Sequence, residues 1–509
     1  MMATSASSFD YIVVGGGTAG CVIAARLSEN PDVRVLLLEA GDKDPLDAMA
    51  VPAVWPTLMG TSADWADTSV VQAATGTPVP VPRGRGLGGS SSMNGLAFVR
   101  GHRSSYDAWP GLGASGWGYD DLLPFFRCSE TTKERDTAVR GVDGPLTVGP
   151  SAVPNPVSRA GIEAAVEIGY ERASDITSGM ETGVGWCDVN VVDGVRQSAA
   201  DAYLRPVLGR SNLVVVTDAL VRRLRVDNGR CTGVEYSKAG ESLTAHCAAE
   251  GEVVLTAGAI GSPQLLMLSG IGPQEHVRQV GVDVVQDLPG VGANLQDHPM
   301  STVNYTAKRA VPGNPQDTLG NAVALIRTDP ALAGPDMQFL FSWVAYHSPA
   351  LVVPEQSYTI TVAAMAPYSK GSVRLASSDA GVPPVVDPNY FGDSRDITTM
   401  AAGLRVAREI GQADAFADWR GAELRPGPDV DNADAVRDYL HHSLMVYFHY
   451  TGTCRIGNDE MAVVDTDLRV RGVAGLRVAD ASVMPSIPSA NTNATVYAIA
   501  ERAASLLKG

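Results

Sequence analysis

The run Gly15-Gly16-Gly17-Thr18-Ala19-Gly20, with Glu39 about 20 residues beyond it, has the residue types needed to hold a dinucleotide. Gly15 permits a tight turn, Gly17 lets the backbone approach a pyrophosphate, and Gly20 allows close helix–strand packing. The Glu39 carboxylate can accept from a ribose 2′-hydroxyl and would repel a 2′-phosphate, which points to FAD or NAD rather than NADP. A second loop, Gly84 to Gly95, contains five glycines and three serines. Its backbone can lie flat against a ring system with amides and hydroxyls free to donate.

These groups need elements to aim them. Tyr11 to Val14 reads as a buried strand, the glycine turn opens an amphipathic run to Leu27, and Val33 to Leu38 reads as a second apolar strand. Asn212 to Val216 and Ala219 to Leu224 read as strands of a small sheet, with Val253 to Thr256 another buried strand. The whole chain has 509 residues, 45% hydrophobic and 19% charged, enough for roughly three units of ~150 residues.

Fifty-six acidic against 39 basic residues leave a net charge of -17, which argues against a nucleic-acid partner. The longest apolar stretch, Tyr11 to Ala25, contains four glycines and follows Asp10 rather than a basic segment, so no signal peptide or membrane span is expected there. Six cysteines without a CxxC pair suit a reducing compartment, with the cytoplasm as the expected location. His102, His246, His276, His347 and the adjacent His441-His442 form no spaced ligand set, and no metal site is expected.

Four further segments carry a resemblance. They are Arg83 to Gly95, Gly258-Ala259-Ile260-Gly261-Ser262-Pro263-Gln264-Leu265-Leu266, Leu268-Ser269-Gly270-Ile271-Gly272, and Leu288-Pro289-Gly290-Val291-Gly292-Ala293-Asn294-Leu295-Gln296-Asp297-His298-Pro299. With the first motif, and in this order along nearly the whole chain, they resemble the glucose-methanol-choline (GMC) oxidoreductases. The resemblance implies FAD. It also implies that the flavin is held without a covalent bond, because Met93 stands where members with covalent flavin have a histidine. Backbone contact with the adenine end is implied at Val221, and with the pyrophosphate and ribityl chain at Asp480 and Ala481. Asn493 would reach the pyrimidine edge of the flavin. Further cofactor contacts are implied at Thr18, Ala19, Ala40, Arg85, Gly88, Gly89, Ser90, Asn94, Gly95, Ala257 and Thr495.

The family resemblance also implies a discontinuous FAD-binding domain, comprising 1–150, 196–298 and 447–509, with a substrate domain made of 151–195 and 299–446. The expected fold is α/β: a Rossmann-like FAD domain on a mostly parallel sheet, plus an α+β substrate domain whose antiparallel sheet is backed by helices. Strand-like runs at Met337 to Val344, Tyr358 to Ala364 and Ser372 to Leu375, and helical runs at Asp396 to Ile410 and Ala433 to His442, fit the latter. Val311 to Pro315 and Arg425 to Pro428 read as loops at the edge of a substrate entrance.

Phe448-His449-Tyr450-Thr451-Gly452-Thr453 resembles the family's active-site histidine segment, and Ser489-Ala490-Asn491-Thr492-Asn493 lies where the second catalytic group belongs. The resemblance therefore assigns His449 as the base that takes an alcohol's hydroxyl proton and Asn491 as the group that holds its oxygen. Beyond them Val496, Ile499, Ala500, Ala503 and Leu507 keep a helical period, and the N-terminal dipole of that helix would favour an anionic reduced flavin. Many members have Trp before this histidine and Pro after it, whereas Phe448 and Tyr450 flank it here. Together with Tyr447 and Trp343 they are candidates for the substrate pocket, with core packing as the alternative.

The implied activity is FAD-dependent oxidation of a primary alcohol, extending to hydrated aldehydes, with oxygen or a quinone or dye as electron acceptor. Two other readings remain open: a redox-silent member such as a hydroxynitrile lyase or flavin photodecarboxylase, and a flavoprotein kept for binding.

Overall fold

In the computed structural model, which describes residues 8–44, 46–152 and 154–509, the first apolar run becomes the strand Ser8–Val14. The glycine turn then opens the helix Thr18–Leu27, and the chain returns as the strand Val35–Leu38. Continuous apolar runs such as Val35–Leu38 suit strands covered on both faces, and all four of its residues are buried. The parallel part of the sheet runs Leu213–Val216, Val35–Leu38, Ser8–Val14, Glu241–Leu255, Leu476–Val478. Arg230–Lys238 and Leu220–Asp227 extend it antiparallel beyond Glu241–Leu255.

This placement corrects the separate small sheet expected for Asn212 to Val216 and Ala219 to Leu224. The Leu-Val-Val-Val run pairs parallel at one edge of the seven-stranded sheet, while the strand Leu220–Asp227 closes the opposite edge. Gly15, Glu39, Ala257 and Asp480 all sit within two residues of the carboxyl ends of neighbouring parallel strands. In an open α/β sheet that is the edge where a ligand binds.

A second seven-stranded sheet is antiparallel throughout, in the order Arg420–Arg425, Pro299–Ala307, Ser357–Ala364, Met337–Ser342, Ala322–Ile326, Gly183–Trp186, with Met445–Val446 beside Pro299–Ala307. Helices Pro156–Glu167, Ser394–Gln412 and Ala433–Ser443 pack on it. Ser372–Arg374 does not join this sheet. It pairs with Val385–Asp387 in a hairpin of its own. The strand Pro299–Ala307 gives no alternating sequence signal because Ser301, Thr302 and Asn304 are fully buried within it. Their polarity is absorbed locally: Thr302 Oγ1 donates to Asn304 Oδ1 at 3.0 Å and Asn304 Nδ2 to Thr359 Oγ1 at 2.8 Å.

Candidate functional site

At the end of the parallel sheet the glycine turn is required by contact. Gly15 has φ +104°, and a methyl group there would meet the Thr256 carbonyl oxygen at 2.7 Å. At Gly20 it would lie 1.9 Å from the Gly15 carbonyl oxygen. Gly17 caps the helix Thr18–Leu27 without any side-chain bond, which leaves that N-terminus open to an anion. A second N-terminus beside the glycine turn that has no side-chain cap is that of the helix Asn493–Lys508, preceded by Thr492.

Glu39 ties the glycine loops together. Its Oε2 accepts from Gly16 N at 2.7 Å, and its Oε1 accepts from Gly41 N at 2.8 Å and Gly86 N at 3.0 Å. Burial pushes this carboxyl's pKa up, while the three amides pull it back. Three of the carboxylate's ~4 acceptor sites are thus occupied, and one is left for a ribose hydroxyl. Glu39→Ala is expected to weaken FAD binding at least about tenfold, since a hydrogen bond to a charged group contributes ~1.5–3 kcal/mol. The flavin-to-protein absorbance ratio measures this, and the flavin-loaded fraction should stay active.

A cavity of about 570 Å³ opens from these loops. Its wall includes Gly15, Gly17, Thr18, Ala19, Glu39, Ala40, Arg85, Gly89, Ser90, Met93, Asn94, Gly95, Val221, Ala257, Asp480, Ala481 and Asn493. Gly20, Gly88 and Thr495 are not on it. Gly20 fits the helix to the turn, Gly88 N donates to the Gly16 carbonyl at 2.8 Å, and Thr495 Oγ1 pairs with Tyr106 Oη at 2.8 Å. Arg83 and Arg85 lie over the Trp65 ring at 4.4 and 5.2 Å and also line the cavity. Two open helix N-termini, paired glycine turns and two guanidinium groups fit a pyrophosphate-bearing cofactor such as FAD.

The same cavity is walled at its other end by Tyr447, Phe448, His449, Tyr450 and Asn491. His449 Nε2 lies 3.2 Å from Asn491 Nδ2, and His449 Nδ1 lies 2.8 Å from His298 Nδ1. The donors run in one direction: Tyr447 Oη to Gln338 Oε1 at 2.5 Å, Gln338 Nε2 to Asn491 Oδ1 at 3.4 Å, then the Asn491 amide to His449. This order leaves the Nε2 lone pair of His449 as an acceptor and puts its proton on Nδ1, toward His298.

The backbone is pinned as firmly. Asp297 Oδ1 accepts from His449 N at 2.6 Å, and its Oδ2 accepts from Tyr447 N at 3.3 Å and from the Tyr390 hydroxyl. Between those two amides Phe448 is held at φ +65°, a costly conformation for an aromatic residue. Burial pushes Asp297 up to about 6 and His298 down to about 3. Burial, with His298 alongside, also pushes His449 well below the usual imidazole range, so its neutral form persists into acid.

Trp343 is not on the cavity wall. It packs in the second core beside Gly313, while Ser342 and Val344 face the cavity. Residues without an assigned role in the sequence also converge here: Asp297, His298, Gln338, Trp55 and Tyr346. A signal existed for the first two, which lie inside the Gln296-Asp297-His298-Pro299 motif.

Two family models described as GMC oxidoreductase match residues 9–300 and 367–500. The chain is 38% identical over 540 residues to mitochondrial choline dehydrogenase of Homo sapiens, covering 99% of this chain and 90% of that protein. It is 37% identical over 528 residues to oxygen-dependent choline dehydrogenase of Rhizobium rhizogenes, covering 98% and 95%. Among solved structures, pyridoxine 4-oxidase from Mesorbium loti superposes with a TM-score of 0.93 at 36% identity, covering 98% of this chain and 99% of that one.

Proposed function

This chain belongs to the GMC oxidoreductase family, and from that premise we propose that it oxidises a primary alcohol to the aldehyde at the His449–Asn491 pair. It is an FAD-dependent oxidoreductase acting on CH–OH donors. The observation that carries the assignment is the Nε2 lone pair of a buried His449, which accepts from the Asn491 amide on the wall of the cavity that the dinucleotide loops also line, a contact that an alcohol hydroxyl would take over.

Bound in that cavity, FAD supplies the hydride acceptor. His449 Nε2 takes the hydroxyl proton, and the Asn491 amide donates to the alcohol oxygen and holds it in place. The bond that breaks at carbon carries its electron pair away as hydride, and the proton stays on His449. His298 Nδ1 accepts from His449 Nδ1–H, which fixes the tautomer and stabilises the imidazolium formed. His298 is a positioning residue in this scheme. Anaerobic mixing with a panel of primary alcohols in the dark should bleach the flavin. A spectrum unchanged across the panel would leave the redox-silent readings standing.

The flavin is held without a covalent bond in this reading, because Met93, whose thioether cannot make the link, stands on the cavity wall at the position where members with covalent flavin have a histidine. Acid precipitation should therefore release all of the flavin into the supernatant, and yellow colour in the pellet would contradict it. Membership of the two seven-stranded sheets supports the division into an FAD domain of 1–150, 196–298 and 447–509 and a substrate domain of 151–195 and 299–446, although the strand Asp188–Val189 crosses it by pairing with Ala97–Phe98 and Gly149–Pro150. No helix among the described residues is long and apolar enough to cross a membrane. Six unpaired cysteines support a cytoplasmic location. The electron acceptor is oxygen or a quinone-like compound, and peroxide measured after air is admitted distinguishes them.

A further inference from the structure

The wall around the reacting end of the cavity is aromatic and apolar. Trp55 lies 6.1 Å from Tyr346 and 6.3 Å from Phe448, centroid to centroid, and Met300, Leu340 and Val344 complete that side. Besides His449, the acidic and basic side chains on the cavity wall among the described residues are Glu39, Asp67, Arg83, Arg85 and Asp480. Each acid among them is already engaged. Glu39 holds three glycine amides, Asp67 pairs with Arg83 at 2.6 Å, and Asp480 accepts from Gly258 N, Ser262 Oγ and Ser482 N. Two further buried acids, Asp297 and Asp317, do not line the cavity: Asp297 holds the amides of Tyr447 and His449, and Asp317 Oδ1 accepts from Thr318 N and Asn321 Nδ2 while its Oδ2 has no hydrogen-bond partner among the described residues.

We propose that this site takes uncharged apolar or aromatic primary alcohols and rejects quaternary-ammonium alcohols such as choline. The inference rests on the reading of the His449–Asn491 end as the alcohol site. A cation moved from water into a buried cavity must meet a counter-charge or lose its hydration uncompensated. Aromatic faces alone can hold an ammonium, but among the described residues no free carboxylate lines the reacting end of the cavity to offset the charge. An aryl or branched alkyl group instead gains from the same faces through stacking and area burial. The identity of over a third with choline dehydrogenases therefore fixes the fold and the reaction type and leaves the substrate open.

The test is stopped-flow reduction of the flavin in the holoenzyme, comparing choline with its neutral carbon isostere, neohexyl alcohol, and with benzyl alcohol. Neohexyl or benzyl alcohol should exceed choline at least about a hundredfold in reduction rate over dissociation constant. Choline reacting as well as its isostere overturns the substrate assignment and leaves alcohol oxidation standing. Absence of reduction by all three defeats both. Val344→Glu, which adds a carboxylate to a half-buried position on this wall, should raise the choline-to-neohexyl ratio at least about tenfold. A ratio unchanged in that variant, with flavin content intact, contradicts the electrostatic argument.

Discussion

Replacing His449 with alanine is expected to slow anaerobic flavin reduction about 10²–10⁴-fold while flavin content stays at the wild-type level. The imidazole meets both requirements of a base for an alcohol: it is neutral, and its lone pair is aimed. Burial pushes its pKa well below the usual range, so the basic form is complete at neutral pH and is lost only as pH falls through that lowered value. Reduction by the wild-type enzyme should therefore be flat across neutral pH and fall only in acid. None of the hydrogen bonds to His449 touches the glycine loops, so its loss should leave the dinucleotide end intact. Wild-type rates in His449→Ala would remove it as the base and direct attention to Tyr447, whose ring lies 4.2 Å away.

Asp297→Ala should be nearly as damaging, although Asp297 never meets the substrate. Its two oxygens hold the amides of Tyr447 and His449 and the Tyr390 hydroxyl, and they keep Phe448 at positive φ. Alanine leaves those buried donors unpaired, at about 1–3 kcal/mol each, and frees the strained residue to relax. The thermal midpoint should fall. A shift of His449 by ~1 Å should lower reduction about 10²-fold in molecules that still bind flavin. Asp297→Asn keeps one acceptor oxygen, so its effect should be intermediate. A variant with a lower midpoint but a wild-type reduction rate would restrict Asp297 to a purely structural role.

The same contrast shows what was legible in the sequence. The dinucleotide turn could be read because its requirements are local: three glycines, a strand before and a carboxylate after, all within one βαβ unit. His449 and Asn491 came from motif order. Their support did not, because His298 and Asp297 lie about 150 residues upstream of His449, and the segments are brought together by tertiary pairing, of Pro299–Ala307 with Met445–Val446 and of Gln296 with Thr451. Trp343 failed by parity. Along the strand Met337–Ser342 and just past it, Leu340, Ser342 and Val344 face the cavity, so a residue between them points to the other side. Trp55 had no periodic signal because it sits in the short turn of helix Pro52–Leu58. Glu39 was recognised from its distance to Gly20, yet its second duty, joining three loops through their amides, appears only in the folded chain.

The double-mutant cycle of His449 and Asn491 tests the central claim most directly: flavin reduction at saturating alcohol in both single alanine variants and in the double variant, at equal flavin content. If the two groups hold one alcohol in one arrangement, their losses are non-additive, and the double variant reacts about as slowly as the slower single one. Losses that multiply, or a single variant that reduces at the wild-type rate, would contradict a shared site.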